Sequence, residues 1–117
     1  MSVDDSFGGT VRRLREARKI SLRKFAQRVG MSPTYLSKIE RNDFKPPNEE
    51  KVKAIAKALD QDTDELLALA GRVSSDLKDI IQRRPRRMAA FLRTVNGLSD
   101  EAVRHLAEEA QRKRKST

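Results

Sequence analysis

SLRKFAQRVGMSPTYLSKIERNDF, residues 21–44, holds two short apolar repeats around a single glycine. Leu22, Phe25, Ala26 and Val29 fall at i, i+3, i+4 and i+7, along one side of a helix. Ser21 stands where an N-cap belongs and Gly30 where a helix ends. After the glycine, Ser32 caps a second rod, Pro33 takes the first helical position, where its missing N–H costs nothing, and Leu36 with Ile39 supply the inward side. This rod must end near Asn42, because Pro46 and Pro47 in "KPPN" cannot continue a helix and restrict the residues before them. Basic and polar residues fill the gaps, so both rods have positive outer faces.

Outward from this pair the chain reads as more helices and no convincing strand. Upstream, Val11, Leu14 and Ala17 mark a first helix, after a flexible "FGGT" in which Thr10 is the expected cap. Downstream, Asn48 caps "EEKVKAIAKALD", where Val52, Ile55, Ala56 and Leu59 repeat the i, i+3, i+4, i+7 stripe. Asp62 or Thr63 starts a short fifth helix, "DELLALA", stopped by Gly71. Five short helices over residues 10–70 suffice for one small all-α domain with a modest core.

The remainder changes character. Leu77, Ile80 and Ile81 suggest a sixth helix capped by Ser74 or Ser75, and "RRPRR" interrupts it. Met88, Phe91, Leu92 and Val95 make a seventh, ending at "NG". Ser99 caps an eighth that carries Val103, Leu106, Ala107 and Ala110. Each stripe is apolar on one side only, and the first domain supplies its own core from its own five helices. The favoured reading is that this surface serves a partner chain, as a homodimer; the alternative is that the helices fold back and enlarge a monomer core. The expected division is a flexible N-terminus over 1–9, a domain over 10–71, a helical dimerisation or interaction region over 72–111, and a disordered basic tail, "RKRKST", over 112–117.

Composition narrows the partners. The chain has 117 residues, a net charge of +9 and a sequence pI near 10.4, a balance that favours anionic partners. Charge is also unevenly placed. Residues 10–45 hold eleven Lys or Arg against Glu16, Glu40 and Asp43, a net of +8, whereas residues 46–71 hold three Lys against six acids, a net of −3. Such a basic segment beside an acidic one is how a nucleic-acid footprint looks in one dimension. There is no cysteine, which excludes disulfides and thiolate metal sites, and no metal or other cofactor is expected. No apolar run approaches a membrane span, and the opening "MSVDDSFGGT" lacks the basic-then-apolar order of a secretory signal, so a soluble cytoplasmic protein is the expectation. An enzyme is not expected: His105 is the only histidine, and no nucleophile, base and oxyanion set or phosphate-cradling glycine loop accompanies it.

Two short helices joined by a tight glycine turn are the outline of a helix-turn-helix. The stretch "LRKFAQRVGMSPTYLSKIERNDFKPP" resembles the phage repressor and Cro-like, or XRE, family: an alanine in the middle of the second helix, "VG" at the turn, "S-x-x-x-L-S-x-I-E" across the third, then a proline-containing loop. The following "K-AIAKALD" and "ELL" helices extend the resemblance over about residues 11–70, about half the chain. It implies a five-helix, lambda-repressor-like DNA-binding domain whose third helix enters the major groove of double-stranded DNA.

The resemblance also implies roles. Pro33, Thr34 and Tyr35 at the start of the third helix, with Ser37 and Lys38 on the same outer side, are the expected base readers. Lys38 can donate to guanine O6 or N7, and the Thr34 methyl or Tyr35 ring can meet a thymine methyl. For Tyr35, packing against the domain edge stays open beside DNA contact. Pro33 lacks the amide some phage relatives have at this place, so bidentate adenine recognition there is excluded. Arg23, Lys24, Ser32, Arg41, Asn42 and Lys45 are the expected phosphate contacts. In relatives the glutamate matching Glu40 pairs with an arginine of the first helix, and Arg15 is the residue placed opposite it. Leu77, Ile80, Ile81, Met88, Phe91, Leu92, Val95, Val103 and Leu106 are the expected dimer or partner surface. "RRPRR" reads equally as a contact to flanking phosphates and as a solvated turn. The expected function is a homodimeric repressor reading an inverted repeat; the alternative is an antitoxin-type or restriction-controller protein whose C-terminal helices bind a partner protein while its helix-turn-helix regulates its own operon.

Overall fold

Side-chain caps set where most of the helices begin. The computed structural model of the chain describes residues 5–116, and all its regular elements are helices: α1 (Phe7–Ala17), α2 (Leu22–Val29), α3 (Pro33–Glu40), α4 (Glu49–Ala58), α5 (Thr63–Leu69), α6 (Ser75–Arg83), α7 (Pro85–Val95) and α8 (Asp100–Ser116). Ser21, Ser32, Asn48 and Asp62 each accept the N–H three residues on, from Lys24, Tyr35, Lys51 and Glu65. Each bond satisfies one backbone donor that a helix start leaves without an internal partner. Gly30 closes α2 in the left-handed region, at φ 71° and ψ 39°, which a side chain would strain.

The first helix departs from the sequence expectation. It begins at Phe7, not at Thr10, and its cap is Ser6, whose hydroxyl accepts the Gly9 N–H at 3.0 Å. Phe7, Gly8 and Gly9 are therefore an ordered and buried first turn rather than a flexible lead-in; residues 1–4 of that expected lead-in lie outside the described residues. The physical reason is a close approach. A Cβ on Gly8 would collide with the carbonyl oxygen of Ile39, so the glycine lets α1 lie against the C-terminal end of α3. Local propensity counts two glycines as flexibility, whereas here packing overrides it.

Two units make up the chain, divided after Ser75. In the first, α1 packs on α3, α2 on both α3 and α4, and α4 on α5. Val11, Phe25, Ala26, Leu36, Val52, Ile55, Ala56, Leu59 and Leu67 are fully buried, with Phe7, Val29, Ile39 and Leu66 almost so; Leu14 and Leu22 pack at the margin. Each fully buried large aliphatic side chain contributes about 1.5–3 kcal/mol relative to exposure, so the pooled stripes of the helices are what hold the unit. Two polar links act at its helix ends. Lys51 of α4 donates from Nζ to the Gly30 carbonyl at 2.9 Å, caring for the C-terminus of α2. The Glu49 carboxylate accepts the Ser75 N–H at 3.2 Å and the Ser75 hydroxyl at 3.0 Å, while pairing with Lys53 at 2.9 Å.

The second unit contains α7, α8 and α6 beyond Ser75, and none of these helices has a buried residue. Only Arg84 separates α6 from α7, with Pro85 as the first helical residue. Ser99 caps α8 by accepting the Ala102 N–H at 3.1 Å. This last helix runs on to Ser116 instead of fraying into a tail from residue 112. Cations at Lys113, Arg114 and Lys115 sit in its last turn, where they suit the negative end of the helix dipole. Thr117 lies outside the described residues.

Candidate nucleic-acid interface

Along α3 the 3.6-residue period separates a hidden side from an open one. Leu36, Ile39 and Glu40 are buried, whereas Ser32, Pro33, Thr34 and Tyr35 are exposed and Ser37 and Lys38 half-exposed. The five residues expected to read bases thus lie outside the core. The hidden side is locked by Arg15, whose Nε donates to Glu40 Oε2 at 2.8 Å and whose Nη2 donates to Oε1 at 2.9 Å. Arg15 Nη1 also donates to the Ile20 carbonyl at 2.8 Å. Both partners are buried, at 9% and 4% exposure. The hydrogen bond to Glu40 raises the Arg15 pKa above its ordinary value against the opposing effect of burial, so the fork is a charged, bidentate pair.

The expected phosphate ligands lie on α2, at the cap of α3 and in the loop beyond it. Arg23 and Lys24 stand exposed in the first turn of α2, and Lys45 is exposed beyond α3. None of the three has an ion-pair partner among the described residues. Ser32 accepts the Tyr35 N–H at 3.1 Å as a cap and keeps its own hydroxyl proton to donate. Arg41 sits 3.5 Å from Asp43, an exposed pair. Asn42 is in the left-handed region at φ 64°, and its amide donates to Ser6 Oγ at 3.0 Å, which commits one of its two N–H groups inside the protein.

Two features were not visible in the residue pattern. Phe44, 46% exposed, brings its ring centroid to 5.9 Å from that of Tyr35 and stands under Lys38, whose Nζ is 4.9 Å from the Phe44 centroid. Tyr35 therefore packs on Phe44 and is still 36% exposed. A lone aromatic in a polar loop carries no periodic signal that could have found it. The second feature is a groove of about 720 Å³ lined by Gly9, Arg12, Arg13, Glu16, Ala17, Glu40 and Arg41, which adds cations of α1 to those of α3.

The expected partner-surface residues lie in the second unit, where Leu77, Ile80, Phe91, Leu92, Val103 and Leu106 are exposed by 38–53% and Ile81, Met88 and Val95 are half-buried. No described helix is long and apolar enough to cross a membrane.

Comparison with known proteins finds the same kind of helical fold. The helix-turn-helix family model HTH_3 matches residues 11–66. No curated protein sequence matches the chain significantly. Among solved structures, the clp gene regulator ClgR from Corynebacterium glutamicum is similar at 23% identity with a TM-score of 0.50, over 82% of this chain and 96% of that one. A SinR protein/SinI protein complex is similar at 24% identity and a TM-score of 0.50, over 95% of this chain and 99% of that one. Residues 11–66 thus carry the helix-turn-helix of the XRE-family type that the sequence resembles, the domain of DNA-binding transcription regulators.

Proposed function

We propose that the protein is a cytoplasmic, homodimeric repressor that reads an inverted repeat in double-stranded DNA with α3 in the major groove. The observation that carries this reading is the two-sidedness of α3. Its back is clamped by Leu36, Ile39 and the Arg15–Glu40 fork, while Pro33, Thr34, Tyr35, Ser37 and Lys38 stay outside the core. Rigid presentation of polar side chains to base edges is what direct readout needs. Arg23, Lys24, Ser32, Arg41, Asn42 and Lys45 fix the register through phosphates. One such domain reads only a few base pairs, so two are placed about 34 Å apart along the duplex.

Dimerisation is supported by the second unit, whose three helices expose apolar stripes and bury nothing of their own. A surface of that kind is stable when another chain covers it. The same observation supports a second reading, in which the stripes hold a different protein, as an antitoxin or a restriction controller would. SinR, one of the similar structures, was solved with SinI.

Selection of bound duplexes from a random pool, followed by footprinting with Lys38→Ala and Thr34→Ala, tests base reading. Altered sequence preference in these variants supports it, and uniform weakening would demote both residues to backbone contacts. With six to ten phosphate contacts per dimer, affinity falls by about a thousandfold or more between about 50 and 200 mM salt. A nearly flat salt dependence would sink the phosphate assignments.

A further inference from the structure

The loop after α3 is turned back over the helix it leaves. With Asn42 in the left-handed region, the N–H groups of Asp43 and Phe44 both donate to the Lys38 carbonyl, at 2.8 and 3.3 Å. The Asn42 amide pins the same loop to the cap of α1 through Ser6 Oγ at 3.0 Å. This backbone path decides where the Phe44 side chain lies. Its ring stays 46% exposed and outside the core, yet it meets two base-reading candidates, Tyr35 at 5.9 Å between centroids and Lys38 with Nζ 4.9 Å from its own centroid.

We infer that Phe44 is a specificity-positioning residue, which holds the Lys38 ammonium and the Tyr35 ring in one arrangement so that the three side chains together set the base preference of α3. The inference rests on the proposed insertion of α3 into the major groove. A free lysine has many rotamers to lose when it points at a base edge. An ammonium drawn to a ring face within about 6 Å has already lost part of that freedom, and it keeps N–H groups directed away from the ring for guanine O6 or N7. The Tyr35 ring, inclined at 51° to that of Phe44, is confined by the same neighbour, at a separation and tilt within the range of favourable aromatic pairs.

The test uses the full-length chain and its selected duplex, with single-base variants of that duplex. Phe44→Ala is expected to reduce discrimination by about two- to fivefold, the size of an exposed cation–π contact, at the base pair where Lys38→Ala also reduces it. Combining Phe44→Ala with Lys38→Ala should do no more at that base pair than Lys38→Ala alone. Phe44→Trp, which restores a π face, should recover the preference, whereas Phe44→Leu, which restores bulk alone, should not. Circular dichroism on each variant shows whether the helices are retained, and Phe44→Leu serves for comparison if Phe44→Ala does not fold. Equal weakening on all sequences, full additivity with Lys38→Ala, or recovery by Phe44→Leu would each overturn the inference. A wild-type chain that selects no sequence at all removes the major-groove premise, and this inference with it. A wild-type chain that selects a sequence while Phe44→Ala selects the same one equally well overturns the role of Phe44 alone.

Discussion

Arg15 donates two charged hydrogen bonds to Glu40, at 2.8 and 2.9 Å, in a site where each is at least nine-tenths buried. Removing either partner strands the other charge away from water. Arg15→Ala or Glu40→Ala is therefore expected to cost about 3–5 kcal/mol, read from urea unfolding midpoints, while replacing both by apolar residues of similar volume should cost much less. A neutral Glu40→Ala would show that the fork adds nothing to the hold on α3. Gly8 makes a steric point at the same scale. Gly8→Ala would gain helix propensity in isolation, but the added methyl meets the Ile39 carbonyl oxygen, so a net loss of about 1–3 kcal/mol is expected in thermal or urea unfolding.

At the scale of elements, helix ends account for most of the polar links. Glu49, in the first turn of α4, is held by Lys53 and by both donors of Ser75, which lowers its pKa from 4.5 to about 2; the Lys53 contact contributes most, then the Ser75 backbone and hydroxyl bonds. A carboxylate with a lowered folded-state pKa adds stability that is complete above its unfolded value and lost as pH falls through the folded one. The stabilisation from Glu49 should therefore fade between about 4.5 and about 2. Urea midpoints of the wild type and Glu49→Gln should differ most at about pH 6, draw together below about pH 4.5, and meet only as pH falls through about 2. A gap that stays constant across that window would mean that the carboxylate charge is not what the Ser75 and Lys53 contacts depend on. Lys51 does the corresponding work at a helix C-terminus, that of α2, where it donates to the Gly30 carbonyl and so steadies the turn before α3.

For the whole molecule, the two units differ in how their apolar surface is used. The first buries its stripes among five helices, while α6, α7 and α8 leave Leu77, Ile80, Phe91, Leu92, Val103 and Leu106 open. If a second copy covers them, replacing Phe91 and Leu92 together by Asp should turn dimers into monomers in sedimentation equilibrium and leave the unfolding of the first unit unchanged. Binding to a two-half-site duplex should then fall by about a hundredfold or more, because the second domain no longer arrives at high effective concentration. Unchanged mass in the double variant would place self-association elsewhere or nowhere, and would favour the reading with a different protein partner.

Residues 21–48 announced their own structure: Ser21, Ser32 and Asn48 cap the helices where they were expected to, Gly30 closes α2, and the buried positions of α2 and α3 follow the apolar spacing. Caps, glycine stops and a 3.6-residue stripe act within one or two turns, so the sequence alone could determine them, and with them the all-α fold and the open side of α3. What it could not determine depends on residues far apart in the chain. The ordered start of α1 comes from Gly8 meeting Ile39, the cap on α2 from Lys51, and the tie at Ser75 from Glu49. The place of Phe44 against Tyr35 and Lys38 comes from a loop held by Ser6 and by the Lys38 carbonyl. These are contacts between elements, and a close approach or a capping side chain from another helix leaves no mark on local spacing. Which helices form, and which sides of α2 to α5 turn inward, is thus legible in local spacing, whereas the bracing of the outer side of α3 is not, because bracing is a matter of distances across the fold.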